Sequence, residues 1–383
     1  MLRWRSPCGS EAAARAAAEA RIDAFWAAFA ATTPRFEAAF RRHDALDFPT
    51  WMREHLDPID ERIMWEFGPG VRGGHRLVLT PESQRALRPL VEAMVARAPA
   101  LAGWEIYPYR LAEDVEMTFN TVRARVGVEL TGYEVCAAPG GHGRVDLFFW
   151  GPKRLLGKDQ RAEAAFVATE ALLGEEVLDH WIGAIEVEKG VDRVPLGELP
   201  GLVRPLIDAR IAALPDRPHH LQSVDEGWFS YERKGPPIEQ RRGDIIVGTT
   251  RAMPVIQALG SDAHFHSARF SRHGEVFAYL ELATPGGPIG PGEPVGSFPD
   301  RLEAQDAIDA LLVPAGLGCV IGGATGRRHA YIDLALADVA SAWAHLQPFL
   351  SGKLPSATRL LFMDTDLSAE WLGLEAGTAG PRW

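Results

Sequence analysis

Glu275-Val276-Phe277-Ala278-Tyr279-Leu280-Glu281-Leu282-Ala283 alternates along its length, the period-two pattern of a strand with two different faces. Val276, Ala278, Leu280 and Leu282 share one face; Phe277, Tyr279 and Glu281 share the other. His329-Ala330-Tyr331-Ile332-Asp333-Leu334-Ala335-Leu336 repeats the pattern, with Ala330, Ile332, Leu334 and Leu336 on one side and His329, Tyr331 and Asp333 on the other. Between these strands lie a Pro/Gly loop at 285–299, a helical pattern over 301–312, a strand over 317–322 and the turn-forming Gly322-Gly323-Ala324-Thr325-Gly326. A helix over 338–350 and a strand over 358–364 follow. The order is βαββαβ, which predicts a ferredoxin-like two-layer sandwich with its first and third strands as central neighbours.

Upstream the same order is read once more. Trp104–Arg110 alternates, 114–126 has helical spacing, and Tyr133–Ala138 and Arg144–Trp150 are strands joined by Pro139-Gly140-Gly141-His142-Gly143. A helix over 160–178 and a strand over 181–188 complete a second βαββαβ unit. A helix over 198–214 leads into a connector marked by Pro215, Pro218, Pro236 and Pro237. The connector holds strand candidates Trp228–Glu232 and Asp244–Thr250 and a short helix around Met253–Leu259. The chain therefore reads as α+β: a helical N-terminal segment (1–60), an α+β domain (61–214) containing a βαββαβ unit (104–189), a Pro-rich connector (215–262) and a second βαββαβ domain (263–383).

At the N-terminus, Ile22, Phe25, Trp26 and Phe29 repeat at the spacing of an amphipathic helix over 10–31. Pro34 and Pro49 are expected to punctuate two further short helices. Met64–Phe67 and His75–Leu79 read as a hairpin, and Thr80-Pro81 as a helix N-cap followed by proline, with Pro89 kinking that helix. The Ala-rich start is interrupted by Glu11, Arg15, Glu19, Arg21 and Asp23, so it does not read as a signal sequence. No uncharged apolar run approaches about 18 residues, and no membrane association is expected. Cys8, Cys136 and Cys319 are widely separated and lack C-x-x-C pairing, which suits free thiols and a cytoplasmic location.

The chain carries 40 Lys+Arg against 51 Asp+Glu, a net charge of −11. That balance argues against nucleic acid as a partner, because phosphate binding needs a positive surface. Several motif-like stretches lack the context their chemistry requires. Gly68-Pro69-Gly70-Val71-Arg72-Gly73 matches G-x-G-x-x-G, but strand is expected on both sides, so it reads as a hairpin loop and not a dinucleotide site. Leu360-Leu361-Phe362-Met363-Asp364-Thr365-Asp366-Leu367-Ser368 resembles the start of the haloacid-dehalogenase phosphatases. There the first Asp is the nucleophile and the second the general acid beside Mg²⁺. That chemistry needs a downstream helical core, a Lys and a second acidic cluster, so the expectation is a strand end with Asp366 as helix N-cap.

His264-Phe265-His266 is the densest histidine cluster. On a strand, His264 and His266 would share a face where two imidazoles can hold one metal, with His273 or Asp262 as a third ligand. The plainer reading is a solvated strand face, so no metal, cofactor or catalytic residue is assigned, and these histidines stand as metal candidates. The open face of the second βαββαβ unit supplies the binding candidates Phe277, Tyr279, His329, Tyr331 and Asp333. Such aromatics stack bases in RNA-recognition motifs, but Glu281 and Asp333 repel phosphate. Packing on the same chain or on a partner is the expectation.

Phe25-Trp26-Ala27-Ala28-Phe29, Met64-Trp65-Glu66-Phe67-Gly68 and the stretch from Leu90 to Glu105 resemble bacterial proteins of unknown function. The C-terminal unit, with its late Leu367-Ser368-Ala369-Glu370-Trp371, is similar to the domain-of-unknown-function family found beside ribonuclease E inhibitor-like (RraB-type) domains. The resemblance covers roughly the last 110 residues, judged by pattern. It implies a bacterial, cytosolic α+β protein with a regulatory or protein-binding role, and it transfers no active-site residue. The leading expectation is a non-catalytic protein that binds another protein through its acidic surface or open sheet face. Tyr279→Ala with Tyr331→Ala is then expected to abolish capture without unfolding. The alternative is a metal-dependent or hydrolase-like enzyme with its site in the inter-domain cleft, using His264 and His266.

Overall fold

The computed structural model describes residues 2–42, 46–151, 157–187, 192–222, 227–234, 241–261, 264–283 and 293–375. The chain forms two compact units, Met1–Arg110 and Leu111–Trp383. It is a mixed α+β protein. Among the described residues no helix is long and apolar enough to cross a membrane.

The first unit holds α1 (Ala12–Arg42), α2 (Phe48–Leu56), β1 (Met64–Pro69), β2 (His75–Thr80), α3 (Arg88–Ala96) and β3 (Trp104–Tyr107). Ile22, Phe25, Trp26 and Phe29 of α1 are buried against Leu77 and Leu79 of β2. The expected boundary at residue 60 therefore falls inside one core. Pro34 does not end the first helix, which runs on through it to Arg42. Thr80-Pro81 does not start a helix either. α3 begins at Arg88 and places Pro89 in its first turn, where a missing N–H costs nothing. β1 and β2 form the expected antiparallel hairpin. Its loop wraps the Glu105 carboxylate, which accepts from Val71 N–H at 3.2 Å and Arg72 N–H at 2.8 Å. The G-x-G-x-x-G match is thus a hairpin loop.

β3 pairs in parallel with β2 in this three-stranded sheet. The first predicted βαββαβ unit therefore loses its opening strand, because Trp104 joins the aromatic core of the first unit beside Phe29 and Phe36. What remains in the second unit is α4 (Val115–Val126), β4 (Glu134–Pro139), β5 (Val145–Trp150), α5 (Lys158–Leu173), α6 (Glu175–Trp181), β6 (Ile182–Val187), β7 (Val194–Pro195) and α7 (Leu199–Ala212). The strands lie in the order β6-β5-β4-β7. The helix expected over 160–178 is broken at Gly174, whose φ of +81° lies in the region glycine favours. The break re-aims the following turn as α6.

The remaining elements are β8 (Phe229–Glu232), β9 (Ile245–Thr250), α8 (Met253–Ser261), β10 (Val276–Ala283), α9 (Arg301–Leu312), β11 (Gly318–Gly326), β12 (His329–Leu336), α10 (Val339–Leu350), β13 (Arg359–Phe362) and β14 (Trp371–Gly373). They build a seven-stranded sheet in the order β14-β13-β10-β12-β11-β9-β8. β10 and β12, the expected first and third strands, are antiparallel neighbours. Asp300 and Asp338 cap α9 and α10 by accepting from Glu303 N–H and Ser341 N–H. Both helices cover the face made by Ala278, Leu280, Leu282, Ile332 and Leu334.

Two expectations change here. Gly322–Gly326 is strand, not turn; a Cβ on Gly322 would stand 2.6 Å from Thr249 O, so glycine is what lets β9 lie alongside. The segment 215–262 is also more than a connector. Its β8 and β9 extend the sheet, and its α8 packs on the face predicted to be open.

Candidate metal centre

Three side chains from distant parts of the second unit meet: His180, His266 and Asp366. Their potential ligand atoms all lie within 4.8 Å of one another. His180 sits in the last turn of α6 and is buried, so the Gly174 break decides where it points. His266 precedes a 3-10 turn at Ser267–Arg269, and its Nδ1 accepts from Ala268 N–H at 3.3 Å. Asp366 lies in the 3-10 turn Thr365–Leu367 just beyond β13. It is a buried member of that turn, not the helix N-cap expected from sequence.

The His180–Asp366 pair is close to what one ion requires. A tetrahedral ion with bonds of about 2.0–2.2 Å separates its ligand atoms by roughly 3.3–3.6 Å. His180 Nε2 and Asp366 Oδ2 are 3.4 Å apart. The rings of His180 and His266 stack at 3.6 Å with 23° between their planes. Binding a shared ion therefore requires His266 to swing out of the stack. His266 Nε2 lies 4.0 Å from Asp364 Oδ1, beyond hydrogen-bond range, whereas Nδ1 would have to leave Ala268 N–H to take a metal.

Asp364 ties the cluster to the sheet. It accepts from Ser267 N–H at 2.7 Å and from the Ser267 hydroxyl, and that hydroxyl accepts from Phe277 N–H at 3.0 Å. Burial pushes the Asp364 carboxyl above the usual carboxylate range, against the opposing pull of Ser267. Thr365 N–H also bonds Phe265 O at 3.0 Å. The D-x-D stretch and the His-Phe-His stretch, unrelated in sequence, are thereby laced together.

The other histidine candidates separate. His264 is exposed and contributes its carbonyl oxygen, which accepts from Arg144 and Arg269. The segment is a turn rather than a strand, so the expected alternation does not apply. His273 is exposed in a later turn. Asp262 lies outside the described residues.

The proposed open face is closed. Phe277, Tyr279, Tyr331 and Asp333 are fully buried, and His329 is half-buried. Val255, Ala258, Phe265 and Phe270 pack on the face they share. Its polar groups have partners from the segment before β9. Arg242 donates to both oxygens of Asp333, at 2.6 and 3.2 Å. Asp244 accepts from the Tyr331 hydroxyl and from Arg328 and His329 N–H. Burial works against the Asp244 charge, but these hydrogen bonds and His329 prevail and hold the carboxyl well below its usual range. The same carboxylate raises His329. Nothing in local spacing linked Arg242 or Asp244 to strands some ninety residues later, or His180 to Asp366.

No family model, curated protein or solved structure matches the chain.

Proposed function

We propose that the protein is metal-dependent, with His180, His266 and Asp366 as ligands of one divalent transition-metal ion. The convergence of the three donors within 4.8 Å carries the reading. Two imidazoles and a carboxylate suit Zn²⁺ and related ions, and His₂-carboxylate sets recur in catalytic sites that activate water. A hydrolase-like activity is the reaction class this donor set supports. Asp364, 4.0 Å from His266 Nε2, would orient the ligand imidazole only after closing to hydrogen-bond distance. The site lies where α6 meets the turns flanking β10 and β13, inside the second unit.

Native mass spectrometry after Zn²⁺ addition and dialysis tests this, with the denatured mass as reference. One ion per chain is expected in the parent protein, and sharply reduced occupancy in His180→Ala and Asp366→Asn. Occupancy equal in all three proteins overturns the assignment. The ring stacking at 3.6 Å and the Ala268 contact favour a second reading, a metal-free structural tie. On that reading the variants lose thermal stability and no protein retains the ion.

The finer fold reading is proposed with it. The antiparallel order β13-β10-β12-β11, with α9 and α10 on one face, supports a ferredoxin-like core for the C-terminal part. Regulatory protein binding in the cytosol, as the RraB-type resemblance implies, is supported only by the net charge of −11. Its sheet-face version no longer has a surface to act through.

A further inference from the structure

A cleft of about 230 Å³ opens between the β8–β9 region and α8, and none of the three metal candidates lines it. Its polar wall is rich in arginine, Arg233, Arg241 and Arg242, and includes Tyr231 and the exposed Glu232. Its apolar wall includes Ile256 and Leu259 of α8. Arg242 is neutralised by Asp333. Arg233 and Arg241 are not so matched. Arg233 donates to Gly243 O at 2.7 Å, and Arg241 to Phe362 O at 3.0 Å. Among the described residues both make these backbone contacts and no ion pair.

A half-buried guanidinium whose hydrogen bonds go only to carbonyl oxygens bears a desolvation cost that an anion would offset. For Arg241 that cost outweighs the help of Tyr279 and Asp364. The volume falls below the range of about 300–1,000 Å³ usual for drug-sized ligands, so the occupant is small.

We propose that this cleft binds a small organic oxyanion, a phosphate or carboxylate held by Arg233 and Arg241, with an apolar body against Ile256 and Leu259. The site does not depend on the metal reading, because neither arginine is among the proposed ligands.

Isothermal titration of the full chain with phenyl phosphate tests it, with benzoate and inorganic phosphate in parallel. Saturable binding is expected, weakened about tenfold or more by Arg233→Gln and by Arg241→Gln, since each removes a charge-assisted contact. Arg204→Gln, at an exposed arginine on α7, and His180→Ala are expected to leave binding unchanged. Inorganic phosphate is expected to bind more weakly than phenyl phosphate; equal binding removes the apolar half of the proposal. Tighter binding of benzoate than phenyl phosphate assigns the site to carboxylates, and the reverse assigns it to phosphates. Arg241→Gln also loses its bonds to the end of β13 and is a hazard to folding. Arg233→Gln is then the deciding variant. No saturable binding of either organic anion up to roughly 10 mM, or binding that Arg233→Gln leaves intact, overturns the proposal.

Discussion

Arg242 and Asp333 form a two-point ion pair, Nη1 to Oδ1 at 2.6 Å and Nη2 to Oδ2 at 3.2 Å, with both side chains buried. The Arg242 guanidinium also lies 5.2 Å from the Tyr279 ring centroid and 5.0 Å from that of Tyr331. Arg242, three residues before β9, thus neutralises a buried carboxylate on a central strand of the sheet. Burial alone would lower the Arg242 pKa, yet Asp333, Tyr231 and Tyr279 raise it, so the guanidinium stays charged.

Breaking that pair on one side strands a buried charge. Asp333→Ala is expected to cost about 3–5 kcal/mol. The double replacement Arg242→Met with Asp333→Leu removes both charges and is expected to recover most of the loss. Urea unfolding of the three proteins measures the difference; a double variant as unstable as the single one contradicts the account.

Tyr279→Ala empties a fully buried aromatic position and is expected to cost about 3–5 kcal/mol. Tyr331→Phe keeps the ring but removes a hydroxyl donor from buried Asp244, for about 1–3 kcal/mol. These substitutions therefore act on folding, which reverses the expectation that alanine here leaves the chain intact. Thermal unfolding followed by circular dichroism checks the ranking.

Glu281 is shifted in the opposite direction to Asp244. Burial pushes its carboxyl above the usual range, and His329 and Arg359 only partly oppose this. An acid raised in the folded state is relatively favoured below its unfolded value of 4.5. Its contribution is lost as pH climbs through the raised folded value. Glu281→Gln is expected to be more stable than the parent at pH 7, with the advantage shrinking toward pH 4. An unchanged or lower midpoint at pH 7 shows that the charge is stabilised there after all.

The thiols should differ in reactivity. Cys319 is fully buried on β11, and burial pushes its thiol up to about 12; Cys8 and Cys136 are only partly covered. A disulfide reagent at pH 8 is expected to label Cys8 and Cys136 in the native chain and Cys319 only on unfolding. Peptide mapping identifies the sites, and rapid native labelling of Cys319 contradicts the burial.

Alternation made one face of β10 and β12 fully legible. Ala278, Leu280, Ile332 and Leu334 lie where period two places them, because their apolar contacts come from helices with readable spacing of their own. The other face was expected to pack on the same chain or on a partner, but what packs on it was not legible, for a physical reason. Tyr279, Tyr331 and Asp333 look solvent-facing when their partners are unknown, and Arg242 and Asp244 carry no mark that they descend onto those strands. Trp104 shows a similar limit: its local pattern is that of a strand, but nothing local names the sheet it joins. The metal candidates were half visible. His266 stood out in His-Phe-His and Asp366 in D-x-D, each without context, while His180 had no neighbouring signal. Gly174, a glycine inside a helical run, was the available hint that the helix breaks and turns His180 inward.

The pairing of β9 with β11 has a consequence in time. Thr250 pairs with Gly322, 72 residues later (322 − 250). At a synthesis rate of about 5–20 residues per second, β9 exists for roughly 4–14 s before its partner is made. Asp333 is made later still, 91 residues after Arg242. During synthesis the arginine stays hydrated until its carboxylate arrives, so the order of the chain keeps its charge from being buried alone.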